Sequence, residues 1–183
     1  MVPRLVHLNG PPGIGKSTLA RRYVDDHPLA FCLDIDGFRR LIGSWDAHPK
    51  ESGQLARRMA LAMAREHLGG GHDVVLPQFV ARPEFISQLS GVATQVGADF
   101  LEVVLIDELD AASARFEARA GDPDWASHHE EAARMIGASG GFPAMYEALI
   151  RVLDQLPNRV TIATTAEDID GAYRSLLAAV GAT

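Results

Sequence analysis

At 183 residues, 47% of them apolar and 22% charged, the chain has the size and composition of one soluble globular domain and is too short for two ordinary ones. A net charge of −7, with fifteen arginines and two lysines, argues against nonspecific binding to nucleic acid, which needs a basic surface to displace counterions. No run reaches the roughly 18 apolar residues of a membrane span, MVPRLVHLNG has no signal-peptide pattern, and the single Cys32 excludes an internal disulfide or a thiolate metal cluster, so a cytoplasmic location is expected.

Short apolar runs rich in Val, Ile, Leu and Phe recur at 4–8, 30–34, 73–76, 100–106 and 159–163, a pattern that suits strands covered on both faces. The stretches between them, 16–26, 52–68, 83–96, 110–119, 129–136, 142–156 and 168–180, carry helical periodicity. The alternation predicts a single α/β domain over 1–183: an open parallel five-stranded sheet with helices on both faces and a small lid near 115–135. The glycine triplet at 69–71 reads as a helix stop before the third strand.

After the first strand comes GPPGIGKST, that is Gly10, Pro11, Pro12, Gly13, Ile14, Gly15, Lys16, Ser17 and Thr18, which fits the P-loop pattern G-x-x-x-x-G-K-[ST]. Glycines let successive backbone N–H groups turn inward, and the following helix adds the partial positive charge of its N-terminus. Lys16 reaches the β- and γ-phosphates, and the Ser17 hydroxyl ligates Mg²⁺. The sequence therefore predicts a P-loop NTPase fold that takes ATP and Mg²⁺, with no N-K-x-D stretch to pair with guanine; TTAED at 164–168 is the positional candidate for the loop near the base.

The second run ends in FCLDIDGFRR, which brings Asp34 and Asp36 to the carboxyl edge of the sheet, where ligands of open α/β folds gather. If the strand continues, alternate residues share a face and both carboxylates point at the phosphates. One then holds a water of the Mg²⁺ shell and the other orients and deprotonates an acceptor hydroxyl. The competing reading is that either aspartate caps the helix beginning near Gly37.

GPPGIGKST followed by DIDGFR resembles the small P-loop kinases grouped with polynucleotide 5′-hydroxyl kinases, chloramphenicol phosphotransferase, and shikimate and gluconate kinases. The resemblance implies Asp36 as general base, Asp34 on the metal side and Arg39 as a substrate contact; Arg40, next to it, is expected to be a solvated helix residue. It extends over most of the chain. In the R-F-E-A-R stretch, Arg115 and Arg119 lie one helical turn apart and are expected to close over the nucleotide and neutralise the transferring phosphoryl group, unless they are solvated charges paired with Glu117 or Asp110. The third strand ends in LPQF, where many relatives have an acid; Gln78 can hydrogen-bond a substrate or a water but brings no charge, which throws the metal-side role onto Asp34.

The expected activity is transfer of the γ-phosphoryl group of ATP to a hydroxyl of a small molecule. Two rivals stand beside it: a polynucleotide 5′-hydroxyl kinase, disfavoured by the acidic balance, and a regulatory ATPase using Asp107 and Glu108 of FLEVVLIDEL as Walker B acids. Adjacent His128 and His129 point apart and lack a third ligand, which speaks against a metal site. Trp45 and Trp125 sit in polar, turn-rich segments and are candidates to wall an acceptor pocket or anchor the lid; Arg57 and Arg58 are weaker candidates to reach an anionic substrate.

Overall fold

The computed structural model describes residues 2–120, 126–156 and 158–181, along which strands and helices alternate. β1 (Arg4–Asn9) leads through the glycine-rich turn into α1 (Lys16–Asp26). β2 (Phe31–Cys32) is followed by the short α2 (Ile35–Arg39) and the long α3 (Pro49–Gly69). Then come β3 (Val74–Pro77), α4 (Pro83–Gln95), β4 (Asp99–Ile106), α5 (Leu109–Ala118), α6 (Ala126–Ala138), α7 (Phe142–Leu153), β5 (Val160–Ala163) and α8 (Ile169–Gly181). Every strand pair is parallel, in the order β2-β3-β1-β4-β5. This is the open parallel five-stranded α/β sheet that the sequence predicts, since parallel neighbours require crossover helices.

The two-residue period of β1 explains why helices cover both faces. Val6 and Leu8 pack with Leu19 and Tyr23 of α1 and Tyr173 and Leu176 of α8, while Leu5 faces Ala56, Ala60 and Ala64 of α3 and Phe85 and Leu89 of α4. Ser52, Ala56, Ala60, Ala64 and Leu68 form the buried stripe of α3 at four-residue spacing, so small side chains let this helix lie close to the sheet. Among the described residues no helix is long and apolar enough to cross a membrane.

The second strand departs most from expectation. Strand pairing covers only Phe31–Cys32; the Leu33 N–H still donates to the Val75 carbonyl at 2.8 Å, and then the chain turns. Asp34 causes that turn: it is the N-cap of α2, and its Oδ1 accepts from the Gly37 N–H at 3.0 Å, satisfying one of the donors a helix start leaves open. Cys32 lies on this short strand and packs partly buried against the core, and loss of water pushes its thiol up to about 11. Other differences are at element ends: α3 begins at Pro49, whose missing N–H costs nothing in a first turn, and α7 stops at Leu153.

Candidate active site

The glycine-rich turn is built by sterics. Gly10 has φ 140°, and a Cβ there would stand 2.4 Å from the Leu105 carbonyl oxygen of β4, so only glycine fits. Gly13 (φ 82°) would place a Cβ 3.0 Å from Phe116 Cα, and Gly15 (φ 109°) is the left-handed N-cap of α1. Lys16 Nζ donates to the carbonyls of Gly10 at 2.8 Å and Pro11 at 2.9 Å, spanning the loop from inside. Loss of water lowers the Lys16 pKa from 10.5 to about 7; Asp36 pulls it back up, and Arg119 lowers it further. Lys16, Asp36 and Arg119 thus act on one another electrostatically and line one cavity of about 770 Å³, together with Ser17 and Asp34.

Because β2 stops early, the two aspartates do not lie on alternate positions of a strand. Asp34 caps α2, whereas Asp36 is in the first turn of that helix and its Oδ2 accepts from Gln78 Nε2 at 3.1 Å. Both carboxylates and Gln78 line the cavity, so the three meet there by a different route from the one expected. Gln78 Oε1 is buried with no hydrogen-bond partner among the described residues.

The two arginines of R-F-E-A-R separate. Arg119, the C-cap of α5, lines the cavity. Arg115 does not: its Nη1 pairs with Asp107 Oδ2 at 3.0 Å and donates to the Thr164 carbonyl at 3.3 Å, and its Nη2 donates to the Ile14 carbonyl at 3.1 Å. It braces the phosphate loop against the loops that follow β4 and β5. Asp107, one of the two Walker B candidates, is taken by this pair and by the Glu108 N–H at 2.9 Å, and Glu108 occupies the N-cap position of α5.

Arg39 and Arg40 both line the cavity and both face Glu131 of α6: Arg39 Nη1 pairs with Oε1, and Arg40 Nη2 stands 3.7 Å from Oε2. Arg40 is therefore no solvated helix residue, its side chain being 21% exposed. Arg39 also donates to Ser52 Oγ at 3.0 Å and to the Pro49 carbonyl at 2.9 Å, and lies 5.2 Å over the Trp45 ring, which itself walls the cavity. Arg57 lines the same space and also borders a separate surface groove, which is the one that Arg58 faces. His129 stacks on Phe116 at 4.4 Å, both on the cavity wall; Trp125, the His128 side chain and the middle of the expected lid lie outside the described residues.

A family model described as an AAA domain matches residues 5–137, well over half of the chain. The chain belongs to that family. No curated protein sequence matches this AAA domain at a significant level. Solved structures do match its fold. The Mycobacterium tuberculosis APS kinase in complex with AMPPNP and APS is 18% identical, with TM-score 0.61, covering 98% of each chain. The Deinococcus radiodurans tunicamycin resistance protein is 16% identical with TM-score 0.61, covering 98% of this chain and 96% of the other. A chain of a Pnkp1 RNA repair complex is 17% identical with TM-score 0.64, covering 86% of this chain and 47% of the other.

This AAA domain also holds a polar cluster that periodicity does not reveal. On the α3/α4 face of the sheet, His7 Nδ1 meets Glu102 Oε2 at 2.6 Å and its Nε2 meets the Gln78 carbonyl at 3.0 Å. Asn9 Nδ2 donates to Glu102 Oε1 at 3.1 Å and to the Val80 carbonyl at 3.0 Å, while Asn9 Oδ1 accepts from the Gly10 N–H at 2.8 Å and the Val80 N–H at 3.0 Å. His7, Asn9 and Glu102 are all buried, so each polar atom must be paired, and the pairing fixes residues 78–80 beside the phosphate loop. The signal in the sequence was a lone His, Asn and Glu inside otherwise apolar strands.

Proposed function

We propose that the protein is an ATP-dependent kinase that transfers the γ-phosphoryl group to a hydroxyl of a small molecule. The observation that carries the reading is Asp36: a carboxylate oriented by Gln78, in a cavity shared with Lys16 and Ser17, within electrostatic reach of the lysine. In the reaction, loop backbone N–H groups and Lys16 hold the phosphates in position. Asp36 accepts the proton of the acceptor hydroxyl as its oxygen attacks the γ-phosphorus and the β–γ bridging bond breaks, leaving ADP. Arg119 neutralises charge on the transferring group. Arg39 contacts the acceptor, and Gln78 keeps the Asp36 carboxylate in line.

The residues fit Mg²⁺. Ser17 offers a hydroxyl and Asp34 a carboxylate in the same cavity, and among the described residues no cluster of three or more His, Cys, Asp or Glu forms a protein cage. Hard oxygen donors in small number are what Mg²⁺ takes when phosphates and water complete its shell. When bound, it would supply neutralisation of phosphate charge. Support for the kinase reading comes from the P-loop, from membership of the family and from a fold shared with an APS kinase. An ATP-consumption screen over hydroxyl-bearing compounds tests it, with ADP formation that depends on the acceptor as the expected result. ADP release independent of every acceptor, lost in Glu108→Gln and kept in Asp36→Asn, would favour the regulatory ATPase.

One observation favours a second reading, a polynucleotide 5′-hydroxyl kinase: the cavity is rich in arginine although the chain is acidic. Labelled ATP offered with a 5′-hydroxyl oligonucleotide tests it, and absence of labelled oligonucleotide removes it.

A further inference from the structure

Six of the fifteen arginines line the acceptor cavity: Arg39, Arg40, Arg57, Arg82, Arg119 and Arg134. With Lys16 they stand against four acids on the same walls, Asp34, Asp36, Asp46 and Glu131, in a chain whose net charge is −7. The surplus is not evenly spread. Arg119 belongs to the phosphate side through its effect on Lys16, whereas Arg39, Arg40 and Arg57 gather at the start of α3 and the end of α2.

The local geometry there is that of a seat for an anion. A Cβ on Gly53 would lie 3.6 Å from Arg57 Nη1 and 4.0 Å from Arg39 Cζ, so two guanidinium groups share this face of α3. Arg57 forms no ion pair among the described residues. Its pKa is lowered, first by loss of water and then by Arg82 and Arg39, with Asp36 pulling the other way, as for a cation set among more positive charge than negative. Among the described residues the carboxylate within ion-pair distance of these groups is that of Glu131 on α6, paired with Arg39 and facing Arg40. It is held at a cost: burial raises its pKa, and Asp36 is the foremost charge acting in the same direction. A carboxylate side chain of the protein thus occupies an arginine cluster beside the proposed base.

We infer that the acceptor carries an anionic group, a carboxylate or a phosphate, in addition to its hydroxyl, and that this group takes the place of Glu131 among Arg39, Arg40 and Arg57. The inference rests on the kinase reading. An anion there turns the rest of the acceptor toward Asp36, so binding energy from a non-reacting part of the substrate fixes the hydroxyl in line with the phosphate. Displaced Glu131 leaves Arg39 satisfied by the ligand, and Arg57 gains a direct ion-pair partner beyond the longer-range pull of Asp36. The charge-assisted bonds in such a seat are the strong ones, bidentate where the guanidinium meets an oxyanion.

Calorimetry on the full chain saturated with AMPPNP and Mg²⁺, so that the P-loop is filled, tests the seat without turnover. The probes are D-glycerate and D-glucuronate as carboxylates, glycerol phosphate and ribose phosphate as phosphates, and glycerol, glucose and ribose as neutral counterparts. At least one anion should bind more tightly than its neutral counterpart, and the two probe classes separate a carboxylate seat from a phosphate seat. Arg57→Gln should weaken that binding by about tenfold or more, with AMPPNP affinity kept as evidence of folding, and Glu131→Gln should tighten it. In turnover, the Arg57 change should appear in KM and not in kcat.

Absence of anion preference, or weaker binding in Glu131→Gln, overturns the inference. So does labelling of a 5′-hydroxyl oligonucleotide with no small anion bound, which hands the arginines to a nucleic-acid backbone. The two readings fail separately. Anion binding without any acceptor-dependent ADP formation sinks the kinase and leaves the seat, whereas transfer to neutral alcohols without anion binding sinks the seat and leaves the kinase.

Discussion

The phosphate loop and the arginine-rich remainder of the cavity it borders are specified by different means. The loop is fixed by backbone: Gly10 and Gly15 adopt conformations closed to other residues, Leu105 leaves no room for a Cβ, and Lys16 fastens the turn through two carbonyls. The cavity is fixed by side chains from distant elements, with Asp36 meeting Gln78 42 residues on and Arg39 meeting Glu131 92 residues on. Changes in the loop should therefore fall on stability and nucleotide affinity, and changes in the cavity on the acceptor, with little exchange between them.

Four changes sharpen or break that division, from the largest effect to the smallest. Asp36→Asn should lower kcat by about a thousandfold, the range for loss of a general base, while ATP affinity stays near normal; retained transfer sinks the assignment of the base. Gly10→Ala should cost about 3–4 kcal/mol in urea unfolding, from a strained positive φ plus the clash with Leu105. Were it tolerated, the loop would be less bound by sterics than its geometry requires. Glu102→Ala strands His7 and Asn9 and should cost about 2–3 kcal/mol. If the two halves are independent, that loss leaves ATP affinity unchanged; a large fall in affinity would show them joined through the buried network.

The smallest effect is a proton. Phosphates favour the charged form of Lys16, whose pKa is about 7, so nucleotide binding should take up a proton above pH 7 and weaken by up to about tenfold per pH unit. The sign for folding is opposite to that of a salt-bridged lysine. A base whose pKa is lowered from 10.5 penalises the fold below pH 7 and releases that penalty as the pH rises toward 10.5. Titration calorimetry in buffers of differing ionisation enthalpy measures the uptake, and binding independent of pH from 7 to 9 would contradict it.

The same division explains what could be read from the chain alone. Strand order, helix placement and the P-loop follow from local pattern, because periodicity and glycine chemistry act within a few residues. In FCLDIDGFRR the local pattern allows either a continuing strand or a helix cap, and the capping bond at Asp34, which ends the strand, decides between them. Arg115 and Arg119 looked equivalent by spacing, but Asp107 and the Ile14 carbonyl, brought up by the fold, claimed one of them. Glu131 gave no local sign at all, since its meaning lies in two arginines on another helix.

Asn9 has a further consequence. A single buried oxygen, its Oδ1, receives the first N–H of the phosphate loop and the N–H of Val80 beside Gln78. The start of the phosphate loop and the segment 78–80 are thereby tied to one side chain of the central strand, so a change at Asn9 would loosen both at once.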